Sequence, residues 1–301
     1  MRRAMDEKLV VLPVIGSLNH THFWEGPCRA GHREDMTPEA EKAAFDRIFA
    51  AEQARLKDMA PEIEVLPAID ARYCEDFVTP QSVFDQIDAQ INRVDVLLPM
   101  GWRTPKLERY DKTFVVLQNG NEGIDFSAYC RSLGREAYVC MDRKDLDALL
   151  HLLWVRKVVR STRALVLTAG AQPTFGIQSL IRDPEILRRR YGMEIIKMPF
   201  TSIFDYMDRI SNEASAPLVN ELLGGSMDTR VRLEYFPADV KYYLAARAMM
   251  ERYGCNAFST ACHELCTSEI PQQRKFTPCV CHSLMKDNGI PSACEEDLNA
   301  L

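Results

Sequence analysis

No stretch of this 301-residue chain stays apolar for the roughly 20 residues that a bilayer-spanning helix needs. A helical membrane span is therefore not expected. Positive charge is also short, since 37 Lys and Arg stand against 43 Asp and Glu, a formal net charge of −6. That balance argues against a nucleic-acid footprint or binding to an anionic membrane surface. A secretory leader is not legible either. The N-terminus MRRAMDEKLVVLPVIG starts basic, but Asp6 and Glu7 interrupt it and no clear cleavage site follows. Leu9 to Ile15 reads better as a first strand. Two glycine-containing stretches fall short of nucleotide signatures. Gln118-Asn119-Gly120-Asn121-Glu122-Gly123 lacks the G-x-G-x-x-G spacing, which disfavours a nicotinamide-dependent oxidoreductase, and Ala169-Gly170-Ala171-Gln172-Pro173 lacks the phosphate-loop lysine.

What remains is the composition of a globular protein, 47% hydrophobic and 27% charged, long enough for two domains. The ten cysteines lie in part inside apparent helices and strands. Without a leader they read as reduced thiols of a cytoplasmic protein. Short apolar runs at Leu9–Ile15, Ile63–Leu66, Val94–Leu98, Phe114–Gln118 and Ala137–Met141 alternate with helical spacing at Pro38–Met59, Pro80–Asn92, Asp125–Leu133 and Arg143–Val158. The alternation restarts at Arg163–Thr168 and continues through helix Asp183–Tyr191, strand Glu194–Met198, helices Ser202–Ile210, Ala216–Leu223 and Pro237–Tyr253, and strand Asn256–Thr260. This pattern predicts an α/β fold of two doubly wound parallel sheets, residues 1–160 and 161–301, divided near Arg160.

The final segment, TPCVCHSLMKDNGIPSACEEDLNAL, reads as helix from Cys279 to Lys286, a left-handed stop at Asn288-Gly289, a short strand to Cys294, and the acidic corner Glu295-Glu296-Asp297. Ligands bind at the carboxyl ends of such strands. An alternative reading of the corner is a solvated helix start capped by Asp297. The PC-x-C-x-S-L helix, the NGIP turn and the Cys-Glu-Glu-Asp corner together resemble the end of the second domain of the L-fucose/L-arabinose isomerase family, whose members carry a Cys/Thr-Glu-x-Asp corner.

That resemblance implies two Rossmann-like domains, with the family's third, β-rich domain absent from this chain. It further implies aldose–ketose isomerisation of a monosaccharide through an ene-diol. Glu295 would be both a ligand to a divalent ion, Mn²⁺ above all, and the acid/base, with Asp297 as a supporting neighbour. The family's other metal ligands come later than Leu301, so the chain alone is expected to be inactive. Full-length members imply a homo-oligomer, a trimer or hexamer. The alternative function is a non-catalytic two-domain protein that binds sugar or regulates.

Three further groups stand at expected binding edges. The loop from Gly16 to Asp35 carries Arg29 among several His residues, Trp102 follows the Val94–Leu98 strand, and His263 with Glu264 is expected in a loop after Asn256–Thr260. Arg29, Trp102 and His263 are the candidate substrate contacts. Cys255, Cys262, His263, Cys266, Cys279, Cys281, His282 and Cys294 form a dense Cys/His region. Cys262 and Cys266 have spacing that suits zinc, but Cys279-x-Cys281 points two ways on a helix, and buried packing is the simpler account of the region.

Overall fold

Leu9 to Leu18 forms strand β1, an interior strand of a parallel sheet, with residues 9–16 all buried. The computed structural model describes residues 6–18, 37–73, 78–101, 104–117, 120–170, 183–230 and 232–298. Strands β2 (Ile63–Val65) and β3 (Ile69–Tyr73) lie end to end along one side of β1, pairing with Leu9–Val11 and Val14–Leu18 respectively. On the other side come β4 (Val96–Gly101), β5 (Thr113–Leu117) and β6 (Ala137–Cys140), every pairing parallel. Burial on both faces explains why β4 is apolar throughout rather than alternating. Four helices accompany these strands: α1 (Pro38–Arg55), α2 (Gln81–Asp88), α3 (Asn121–Ser132) and α4 (Arg143–Arg160). Thr37 caps α1, its hydroxyl accepting from the Ala40 N–H at 3.2 Å ahead of Pro38. Strand β3 has no counterpart among the expected elements. Its sequence IDARY alternates with charge and looks like loop until β1 offers it a ladder.

The chain divides into two compact units, Lys8–Val155 and one built chiefly from Arg156 onward, with the changeover inside α4. The later unit has its own parallel sheet in the order β10–β9–β7–β8, where β7 is Arg163–Thr168, β8 Glu194–Pro199, β9 Ala257–Thr260 and β10 Ser292–Cys294. Helix α5 (Pro184–Tyr191) ends on left-handed Gly192, as its sequence requires. It is followed by α6 (Ser202–Asp208), α7 (Asn212–Gly224) and α8 (Phe236–Tyr253). Helix α7 starts four residues before the expected Ala216 because the Ser211 hydroxyl accepts from the Ala214 N–H, and the helix then tolerates Pro217 inside it. The fold is α/β with parallel sheets. Two short helices were not expected, α9 (Cys262–Thr267) and α10 (Ile270–Arg274), so His263 and Glu264 sit in a helix rather than a loop. Helix α11 (Cys279–Asp287) leads into β10. Among the described residues no helix is long and apolar enough to cross a membrane.

Asn256 fastens this sheet at its amino edge. Its side-chain oxygen accepts from the Arg163 N–H at 2.8 Å and its amide donates to the Ser161 carbonyl at 3.0 Å. Asn256→Ala removes both partners at once and is expected to destabilise by about 1–3 kcal/mol, read as a lower urea midpoint with unchanged slope.

Candidate functional site

Strands β7, β9 and β10 are parallel, so Thr168, Thr260 and Cys294 end on one edge of the second sheet. From β7 the chain moves out to β8, then crosses to β9 on the opposite side of β7. That reversal of strand order opens the crevice in which open α/β sheets take their ligands.

The acidic corner stands beside it. Glu295 and Glu296 follow β10 with φ of 56° and 59°, a left-handed pair that non-glycine residues seldom adopt. The pair turns the chain back across the sheet edge, where the Glu296 N–H donates to the Thr260 carbonyl at 3.2 Å. It also separates the two side chains, leaving Glu295 exposed and Glu296 buried. Burial raises the Glu296 carboxyl above its ordinary range and nearby Glu264 adds to the rise. A hydrogen bond from Thr168 and the charge of Lys197 act against it. Glu296 Oε1 and Glu264 Oε2 are both buried without a hydrogen-bond partner. Glu264 is named from sequence beside His263 at the binding edge, whereas Glu296 receives no role of its own there, because only the left-handed turn decides which of two adjacent glutamates points inward.

The expected site residues are distributed unevenly. Glu295 is at the carboxyl end of β10, and its backbone N–H approaches the Cys262 sulfur. Asp297 is half-buried; its N–H donates to the Cys294 carbonyl at 3.0 Å, and its Oδ1 is buried without a hydrogen-bond partner. His263 is exposed in the first turn of α9. Arg29 and Trp102, with the long loop after β1, lie outside the described residues.

Beneath the corner the fold assembles three residues that sequence spacing does not pair. Cys262 from α9, His282 from α11 and Cys294 from β10 place their ligand atoms within 4.8 Å of one another, the only such group of potential metal ligands among the described residues. Cys262 Sγ lies 3.6 Å from His282 Nε2, and His282 Nδ1 lies 2.7 Å from the Ser292 hydroxyl. Burial lowers the His282 pKa to about 4, so the imidazole is neutral near pH 7. Burial also pushes the Cys262 thiol well above its usual value, with Cys294 adding to it. Cys281, one position from His282, is instead packed in the apolar core beside Tyr242 and Met285. All the described cysteines are free thiols.

A cleft of about 410 Å³ is lined by Arg232, Tyr235, Asp239, Phe276 and Thr277. It lies at the start of α8, the end of that helix remote from the amino edge where Tyr253 meets Arg163. Asp239 Oδ1 accepts from the Thr277 N–H at 2.5 Å, and burial raises the Asp239 carboxyl against that bond.

No protein-family model matches the chain, and no curated protein is significantly similar to it.

Proposed function

We propose that the chain carries the catalytic glutamate of an aldose–ketose isomerase related to L-fucose isomerase, acting on a monosaccharide through an ene-diol. The observation that supports this reading is Glu295, exposed at the carboxyl end of β10 beside the reversal in strand order. From there its carboxylate can take the proton from the carbon next to the sugar carbonyl while the carbonyl oxygen gains a proton. The resulting ene-diol then accepts the first proton at the former carbonyl carbon, as the neighbouring hydroxyl loses its own. Atoms and oxidation state balance within the one sugar, so a single positioned acid/base is the central requirement.

Such enzymes use a divalent ion, with Mn²⁺ the expected one, and the described residues do not by themselves make its site. A hard cation takes several oxygen ligands. Here Glu295 and Glu296 diverge, and the one three-ligand group is rich in sulfur. No step is therefore routed through the ion, and its remaining oxygen ligands would have to come from outside this corner. Two consecutive Rossmann-like domains, a cytoplasmic location and a homo-oligomeric assembly go with the proposed class.

One observation favours a second reading, a sugar-binding protein without catalysis. The 410 Å³ cleft combines the half-buried Tyr235 with the polar groups of Arg232 and Asp239. Where the natural chain continues past Leu301, assays of that longer form on L-fucose, D-arabinose and L-arabinose with saturating Mn²⁺ separate the two. Glu295→Gln keeps the side-chain shape and loses its basicity, so turnover should fall at least about 10²-fold. The metal-free melting temperature should barely move, because the side chain is exposed. Full turnover in Glu295→Gln, or no interconversion of any aldose by the parent, would overturn the isomerase reading. Sugar binding without interconversion would favour the second.

A further inference from the structure

We propose that Cys262, His282 and Cys294 form a site for a thiophilic divalent cation, Zn²⁺ by preference, with its fourth position left to water. The site is distinct from Glu295 and stands whether or not the chain is an isomerase.

Geometry is the first reason. A tetrahedral zinc ion with Zn–S of about 2.3 Å and Zn–N of about 2.0 Å requires its ligand atoms to sit about 3.5–3.8 Å apart. The Cys262 Sγ to His282 Nε2 separation is 3.6 Å, and all three ligand atoms fit within 4.8 Å. The three come from α9, α11 and β10, so the tertiary fold brings them together and no local cysteine spacing does.

The second reason is how His282 is held. Its Nδ1 faces the buried Ser292 hydroxyl at 2.7 Å. With the proton on Nδ1 donated to Ser292, Nε2 presents its lone pair toward Cys262. Metal-binding histidines are oriented in this way by a partner on the far ring nitrogen.

Donor chemistry selects the ion. Two thiols lose their protons to solvent on binding, and the two thiolates then balance the double positive charge in a largely buried place. Sulfur with imidazole suits zinc and discriminates against Mn²⁺ and Mg²⁺, which seek oxygen. Cys262 and His282 are buried whereas Cys294 is exposed, so the third ligand supplies the route in and the side on which water completes the tetrahedron. Three protein ligands and one open position is the arrangement of zinc sites that bind water or substrate, as opposed to closed four-ligand structural sites.

The test uses the full chain, reduced and stripped with a chelator, then titrated with Zn²⁺ or Mn²⁺ against a chromophoric competitor. One Zn²⁺ should bind per chain, at least about 10²-fold more tightly than Mn²⁺. X-ray absorption should show two sulfurs near 2.3 Å and nitrogen or oxygen near 2.0 Å, each value approximate. Cys262→Ser and Cys294→Ser should each weaken Zn²⁺ binding by more than about 10²-fold, and Ser292→Ala by about 10- to 100-fold. Cys266→Ser, which removes a neighbouring thiol outside the triad, should leave binding unchanged. Circular dichroism checks folding, and should buried Cys262→Ser not fold, exposed Cys294→Ser answers the same question. Absence of Zn²⁺ binding by the folded, reduced chain would overturn the proposal. So would a ligand shell without sulfur, equal affinity for Mn²⁺, or undiminished binding in Cys294→Ser.

Discussion

Gly101→Ala is expected to cost at least about 4 kcal/mol, a large part of the stability of an ordinary domain. Gly101 ends β4 with φ +96°, and a Cβ built there would lie 2.2 Å from the Gly16 carbonyl oxygen and 2.9 Å from the Gly16 nitrogen. Gly16 is the residue it pairs with on β1. Both obstacles are backbone atoms of the neighbouring strand β1, so no side-chain rotation relieves the overlap and the ladder itself must open. The positive φ adds about 1–2 kcal/mol for any residue with a Cβ. Gly134→Ala separates the two effects, because Gly134 has φ +75° and nothing within 4 Å of the added carbon. It should lose only the conformational part. Urea unfolding of both variants checks this, and a Gly101→Ala cost no greater than that of Gly134→Ala would mean that β1 and β4 do not approach as described.

Phe276→Ala should cost about 3–5 kcal/mol, the range for removing a fully buried ring. Its ring is 0% exposed, stacked on Tyr242 at 5.1 Å and edge-on to Phe204 at 6.0 Å. Aromatic pairs add about 0.5–1.5 kcal/mol beyond area burial. Phe276 precedes the Thr277 N–H that holds Asp239, and it lines the cleft, so the truncation should both unfold the unit sooner and widen the cleft. Tyr242→Phe is the contrast. It keeps the stack and loses only the hydroxyl that reaches Thr260 Oγ1 at 3.2 Å, a cost of about 1 kcal/mol. Equal destabilisation by the two variants would show that the ring stack carries little of the core's stability.

Legibility in the sequence followed how local the deciding interaction was. Strand β7 was read at its observed bounds, because RALVLT is a continuous apolar run with a turn signal at its end. The stop of α5 at Gly192 and of α8 at Gly254 is equally local, since each needs the left-handed φ that glycine adopts freely. Strand β3 was missed because its charged alternation carries little apolar signal and its partner β1 lies some fifty residues away. Helix α9 was missed because six residues hold too little periodicity to read.

At the site the division is sharper. An α/β chain of parallel strands, and an acidic corner directly after the last of them, follow from hydrophobic period, glycine stops and strand length, all of which act within a few residues. Which glutamate faces solvent follows from two left-handed residues in succession, and a strand's alternation does not forecast that. Likewise, Cys262, His282 and Cys294 are separated by twenty and twelve residues, and local spacing favours other cysteine pairs. They meet because β10 pairs with β9 in parallel register, Cys294 opposite Thr260, so the helix leaving β9 and the turn leaving β10 emerge side by side. Residues within one element are positioned by local backbone energetics, which a sequence displays. A site shared by three elements depends on strand order and register, which are chosen when the whole unit buries its core.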